Sequence, residues 1–132
     1  MGDAGKDKVE RDSAIRRLGR SFYFAFAGLA YLFRTQRNAR IELAIGIAAA
    51  ALGAWLKISQ TEWCILVLTI ASVLILEGLN TAIEAAVDLA SPQKHPLAKT
   101  AKDVSAAMVL VAAIASILVG ILIFGARVWQ RL

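Results

Sequence analysis

The apolar positions of this chain fall into four stretches separated by short polar breaks. In the first, Ile15, Leu18, Phe22, Phe26, Leu29 and Phe33 recur at intervals of three or four, which places them on one face of a helix. Arg16, Arg17 and Arg20 sit between them, so the helix is amphipathic. Its purely apolar part, Phe22 to Phe33, is too short to cross a hydrocarbon layer ~30 Å thick, which takes ~20 residues. The pattern therefore predicts an interfacial helix over about 14–35, capped by Ser13. Residues 1–12 (MGDAGKDKVERD) show no apolar period and are expected to form a flexible tail.

The other three stretches are long enough to span. They lie at about 41–58, 62–90 and 100–127, and the last includes 104–126, which carries no charge. Gly and Ala in the first span permit close helix contacts. Both prolines, Pro92 and Pro96, fall in the loop SPQKHPLAK between the second and third spans. The expected fold class is all-α: an integral membrane protein with three transmembrane helices and an N-terminal amphipathic interfacial helix, forming one domain over 13–132.

Composition supports this. The chain is 58% hydrophobic with a mean hydropathy of +0.62, more apolar surface than a soluble domain of 132 residues can hide. The net charge of +5 then reads as membrane topology rather than affinity for nucleic acid. Nine of the 15 Lys and Arg precede the first span, and Lys94, Lys99 and Lys102 lie between the second and third. Only Lys57, Arg127 and Arg131 fall on the other side, so the N-terminus is expected in the cytoplasm. Trp55, Trp63 and Trp129 then land together at the outer ends of the spans, as an aromatic belt. The polar start carries no apolar segment of the kind found in cleavable signals, so the first membrane helix is expected to target the chain. The single cysteine, Cys64, reads as a small hydrophobe.

One feature resists a purely structural reading. The run from Trp63 to Leu76 has 14 residues and covers ~21 Å, less than the hydrocarbon thickness. Glu77 is therefore carried into, or to the edge of, the apolar layer. Glu84 follows ~10 Å later and Asp88 ~6 Å beyond that. At ~100° per residue, Asn80, Thr81, Glu84 and Asp88 fall within about 60° of Glu77, which makes one polar stripe. An ionised carboxylate in lipid costs at least ~2.5–3.5 kcal/mol, so it needs a partner, a cavity or a function. Glu77 suits a general base, while Glu84 and Asp88 suit a divalent cation. Lys102 and Asp103, at the start of the third span, sit at a similar depth, where a lysine can reach phosphate. The plainer alternative makes Glu84, Asp88, Lys99 and Lys102 interfacial charges that end helices.

The segments EGLNTAIEAAVD (Glu77–Asp88) and HPLAKTAKDVSAAMVLVAA (His95–Ala113), with FRTQRNARIE (Phe33–Glu42), resemble the prokaryotic diacylglycerol kinase and undecaprenol kinase family. The resemblance runs from about Arg17 to the C-terminus. It implies a homotrimeric enzyme of the bacterial cell membrane that moves the γ-phosphate of ATP, with Mg²⁺, to a lipid alcohol at the cytoplasmic interface. It also implies that Glu77 is the general base and Glu84 a metal ligand, with Asn80, Asp88, Lys102 and Asp103 at the active site. Arg17 matches a nucleotide contact, and Gln93, Lys94 and His95 match a loop near the nucleotide. Two positions depart from the pattern: Gln36 replaces a second metal-binding glutamate, and Phe24 replaces a nucleotide-contacting tyrosine. Gln36 still offers a carbonyl oxygen, though without charge; Glu42 as a substitute ligand is the weaker alternative, because it is expected deeper in the first span. The SPxxHPLAK loop and FRTQRN segment resemble the undecaprenol kinase branch more than the proteobacterial diacylglycerol kinases.

The residues themselves agree with such a site. There is no Walker-type or protein-kinase glycine-rich loop, so nucleotide must be held by basic side chains and carboxylate-bound metal. One histidine in a loop argues against a histidine-dependent phosphatase, and no D-x-x-D-G repeat marks a CDP-alcohol phosphotransferase. The competing expectation is a small proton- or ion-conducting or assembly subunit without kinase activity, in which Glu77 and Glu84 form a relay.

Overall fold

The computed structural model describes residues 3–129 and contains four helices: α1 (Asp3–Thr35), α2 (Arg37–Leu56), α3 (Gln60–Ala90) and α4 (Pro96–Trp129). It divides at the boundary between Thr35 and Gln36 into two units. The first is α1 alone. Its helix begins at Asp3, ten residues ahead of the expected cap at Ser13, so the predicted tail is helical where described. Oppositely charged residue types recur four apart between positions 6 and 12, a spacing that supports a helix. Met1 and Gly2 of that tail, and residues 130–132, lie outside the described residues. The apolar positions Ile15, Leu18, Phe22, Phe26 and Leu29 are all exposed on α1.

The second unit holds three helices long and apolar enough to cross a membrane, at Arg37–Leu56, Gln60–Ala90 and Pro96–Trp129. Large apolar side chains such as Ile45, Ile75, Leu110 and Ile117 are exposed on them, the surface of a protein whose solvent is lipid. α3 is central; α4 packs along it extensively and α2 less so. The close-packed core, Leu56, Ile58, Leu66, Ile123 and Phe124 with Trp63 and Leu52 against it, gathers at the end marked by the tryptophans. Gly46 lets α2 approach α3, since a Cβ there would stand 2.9 Å from the Ile70 side chain.

The α2–α3 hairpin is sharp because of its caps. Ile58 N–H donates to the Gly53 carbonyl (3.1 Å) and Lys57 N–H to the Ala54 carbonyl (3.3 Å), a Schellman motif closing α2. Ile58 then folds back onto Gly53, where a Cβ would lie 2.9 Å from its side chain. The motif forces Lys57 into the left-handed region, at φ 53° and ψ 53°. A side chain there costs about 1 kcal/mol that glycine avoids. Lys57→Gly is therefore expected to raise the melting temperature by a few degrees, measured by thermal unfolding in detergent.

At the other end, α3 stops at Ser91, and Pro96 opens α4 at the first helical position, where its missing N–H is not needed. His95 caps α4: its Nδ1 accepts from Leu97 N–H (3.2 Å) and its carbonyl from Lys99 N–H (3.1 Å).

Candidate functional site

The polar stripe of α3 runs from a buried end to an exposed one. Glu77 (3% exposed) and Thr81 are buried, Asn80 and Glu84 are half-buried, and Asp88 is exposed. The Thr81 hydroxyl donates to the Glu77 carbonyl at 3.0 Å, which ties it to its own helix. Asn80 Nδ2 donates to Glu84 Oε1 at 3.2 Å, one turn along. On the facing turn of α4, Lys102 Nζ donates to both Asp88 oxygens, at 2.8 and 3.0 Å. Ser105 Oγ lies 2.6 Å from Asn80 Oδ1. Asn80, Glu84, Asp88, Lys102 and Ser105 thus form one polar seam between α3 and α4, with Glu77 at its buried end.

A second carboxylate lies close to that end. Glu42 of α2 is within electrostatic reach of Glu77, and its Oε2 is buried without a hydrogen-bond partner. It lines a cavity of about 460 Å³ between α2, α3 and α4 whose walls are otherwise mainly apolar, with Ala49, Ile70, Ile117 and Phe124 among them and the hydroxyls of Thr69 and Ser116 bonded to their own helices. An orphaned buried oxygen at the rim of an apolar cavity is suited to a hydroxyl on an oily tail. The sequence alone ranked Glu42 only as a weak substitute for a metal ligand.

Other expected site residues make their contacts elsewhere. Asp103 pairs with Lys99 at 2.6 Å, one turn back on α4, and both are exposed. Gln93, Lys94 and His95 lie exposed in the α3–α4 loop, where Ser91 Oγ donates to the Gln93 carbonyl at 3.0 Å. Gln36 is half-buried at the N-cap of α2 with no side-chain capping bond. Arg17 and Phe24 are exposed on α1, with Phe24 edge-on to Tyr23 at a ring separation of 5.6 Å. Among the described residues, no three His, Cys, Asp or Glu side chains gather closely enough to hold a metal by themselves.

Ser105 is the site residue that sequence reasoning passed over. The signal was its position three residues after Lys102, which puts a small polar group on the lysine's face of a helix otherwise running into apolar sequence.

Comparison with known proteins gives the family. Residues 23–124 match the family described as prokaryotic diacylglycerol kinase. A diacylglycerol kinase of Synechocystis is 48% identical over 101 residues, 76% of this chain and 58% of that protein. The undecaprenol kinase of Bacillus subtilis is 40% identical over 118 residues, covering 89% of this chain and 96% of its own length. The diacylglycerol kinase of Escherichia coli K12 is 30% identical over 95 residues, 72% of this chain and 78% of that one. With three apolar helices and this carboxylate seam, the chain belongs to the prokaryotic diacylglycerol kinase family of membrane lipid kinases.

Proposed function

We propose that this lipid kinase transfers the γ-phosphate of ATP to the hydroxyl of a membrane lipid alcohol, undecaprenol or diacylglycerol, at the cytoplasmic face of the cell membrane. The observation that carries the reading is a buried Glu77 at the deep end of a seam that turns polar and then exposed within three helical turns. An oily alcohol and a water-borne nucleotide have to meet at such a boundary.

In this reading Glu77 takes the acceptor's hydroxyl proton as the hydroxyl oxygen attacks the γ-phosphorus. The new O–P bond forms, the bond from the γ-phosphorus to its bridging oxygen breaks, and ADP leaves. Glu42 accepts the hydroxyl or a neighbouring polar group of the acceptor at the cavity rim. Lys102 directs two N–H groups at Asp88 and keeps a third for phosphate oxygen. Arg17, Phe24, Gln93, Lys94, His95 and Asp103 are assigned to the nucleotide side.

The donors present fit Mg²⁺. Glu84 has one oxygen engaged by Asn80 and the other without a protein partner among the described residues, and Gln36 offers a carbonyl. One or two protein oxygens are what Mg²⁺ held mainly through phosphates takes from a protein, and no three-carboxylate cage is needed. When bound, the ion supplies charge neutralisation on the phosphates. The reading also includes a cytoplasmic N-terminus, α1 at the interface, and a homotrimer.

Relatives named for both acceptors align with this chain, so the two lipids belong in one assay. Purified protein in mixed micelles is given ATP, Mg²⁺ and either undecaprenol or diacylglycerol. Phosphorylated lipid is expected only when nucleotide, metal and lipid are all present. Ion flux through liposomes with no lipid phosphorylation under any of these conditions would favour a conducting subunit and overturn the reading.

A further inference from the structure

We propose that Ser105 is a positioning residue: its hydroxyl commits the Asn80 amide to face Glu84, and so sets the geometry of the seam. The inference rests on the kinase reading for its consequence in turnover, though not for its structural content.

Ser105 is 7% exposed, and its oxygen lies 2.6 Å from Asn80 Oδ1 and 2.9 Å from the Lys102 carbonyl of its own helix. A hydroxyl has one proton, so it donates fully to only one of these acceptors at a time. The Asn80 amide has an oxygen at one side and an NH₂ at the other, and its second contact is Glu84 Oε1 at 3.2 Å. An ionised Glu84 accepts only, so the amide must turn its NH₂ to Glu84 and its oxygen to Ser105. Were the Ser105 proton on the Lys102 carbonyl instead, two oxygens would face each other at 2.6 Å without a hydrogen between them. The contact therefore fixes a directed chain, Ser105 to Asn80 to Glu84, running from α4 to α3.

The consequences follow from what each group has left. Asn80 holds one oxygen of Glu84 and leaves the other unengaged by protein. Without the Ser105 hydroxyl, Asn80 Oδ1 loses its donor in a partly buried place, and the amide no longer has a reason to keep one orientation. A flipped amide would set its oxygen against the Glu84 carboxylate, and the two would move apart.

The chain contains only two asparagines, Asn38 and Asn80, so selective ¹⁵N labelling of asparagine side chains gives two NH₂ signal pairs. Asn80→Asp assigns the Asn80 pair by its loss. In full-length protein in micelles, Ser105→Ala is expected to move the Asn80 pair towards the position of exposed Asn38, and Ser105→Thr to keep it in place. Turnover is expected to fall about tenfold in Ser105→Ala, in kcat more than in the KM for lipid, and to be retained in Ser105→Thr. An unmoved Asn80 pair in Ser105→Ala overturns the proposal. So does an equal loss of turnover in both variants accompanied by a lower melting temperature, because the hydroxyl is then not the cause. If the unaltered protein phosphorylates no lipid, the kinase reading fails while the NMR comparison still decides the role of Ser105.

Discussion

Glu77→Gln is expected to lower lipid phosphorylation at least ~10³-fold while leaving the melting temperature within a few degrees of the parent. Glutamine keeps the volume and a carbonyl oxygen but cannot take a proton. The substitution therefore separates base chemistry from packing. Glu77 is 3% exposed and makes no side-chain hydrogen bond among the described residues. A buried acid without a structural partner is costly, and such groups default to function. The Glu42 carboxylate nearby gives the prediction a second edge. Should Glu42 serve as base instead, Glu77→Gln would keep substantial turnover and Glu42→Gln would lose it. Initial rates of labelled phosphate transfer from ATP to extracted lipid, with thermal unfolding alongside, distinguish the cases. Turnover unaffected by Glu77→Gln removes the residue from the chemistry.

Much of this arrangement was legible in the sequence because it rests on periodicity. Spacing alone placed Glu77, Asn80, Glu84 and Asp88 on one face of α3, and their increasing exposure along the helix follows from the short apolar run before them. The α3–α4 turn followed from Pro92 and Pro96. What stayed hidden depends on contacts between helices. Ser105 reads as a tolerated small polar residue until α4 is laid against α3 and its oxygen meets Asn80. Asp103 is expected at the depth of Glu84 and Asp88, and its ion pair with Lys99, four residues earlier on the same helix, shows only once side chains are placed. Glu42 reads as a deep carboxylate of the first span until the α2–α3 hairpin brings it within electrostatic reach of Glu77. The helical start at Asp3 is not visible in the hydrophobic pattern, which reads the polar segment as a tail, while local charge spacing favours helix.

Loss of the Glu62 carboxylate should be the most damaging change at the tryptophan end. Glu62→Ala is expected to lower the melting temperature by roughly 5–10 °C. One side chain performs two tasks. It completes the capping box of α3: Glu62 N–H donates to Ser59 Oγ at 3.3 Å, while Glu62 Oε2 accepts from Ser59 N–H and Oγ, each at 2.7 Å. It also receives the fork of Arg127, Nη1 to Oε1 at 2.5 Å and Nη2 to Oε2 at 2.8 Å, from a residue 65 positions away. Arg127 Nη1 further donates to the Ile123 carbonyl at 2.9 Å, so the last turn of α4 is gathered into the same cluster. Bidentate geometry on a half-buried pair makes this stronger than a surface ion pair. Arg127→Met should lose the cross-helix part and keep the cap, and so shift the melting temperature by less. The double variant should be little worse than Glu62→Ala alone, because both changes remove the same contact. Additive shifts in that cycle would mean that the fork contributes nothing to stability. The seam at the opposite end depends on α3 and α4 keeping their register, and this clamp ties the same two helices at the tryptophan end.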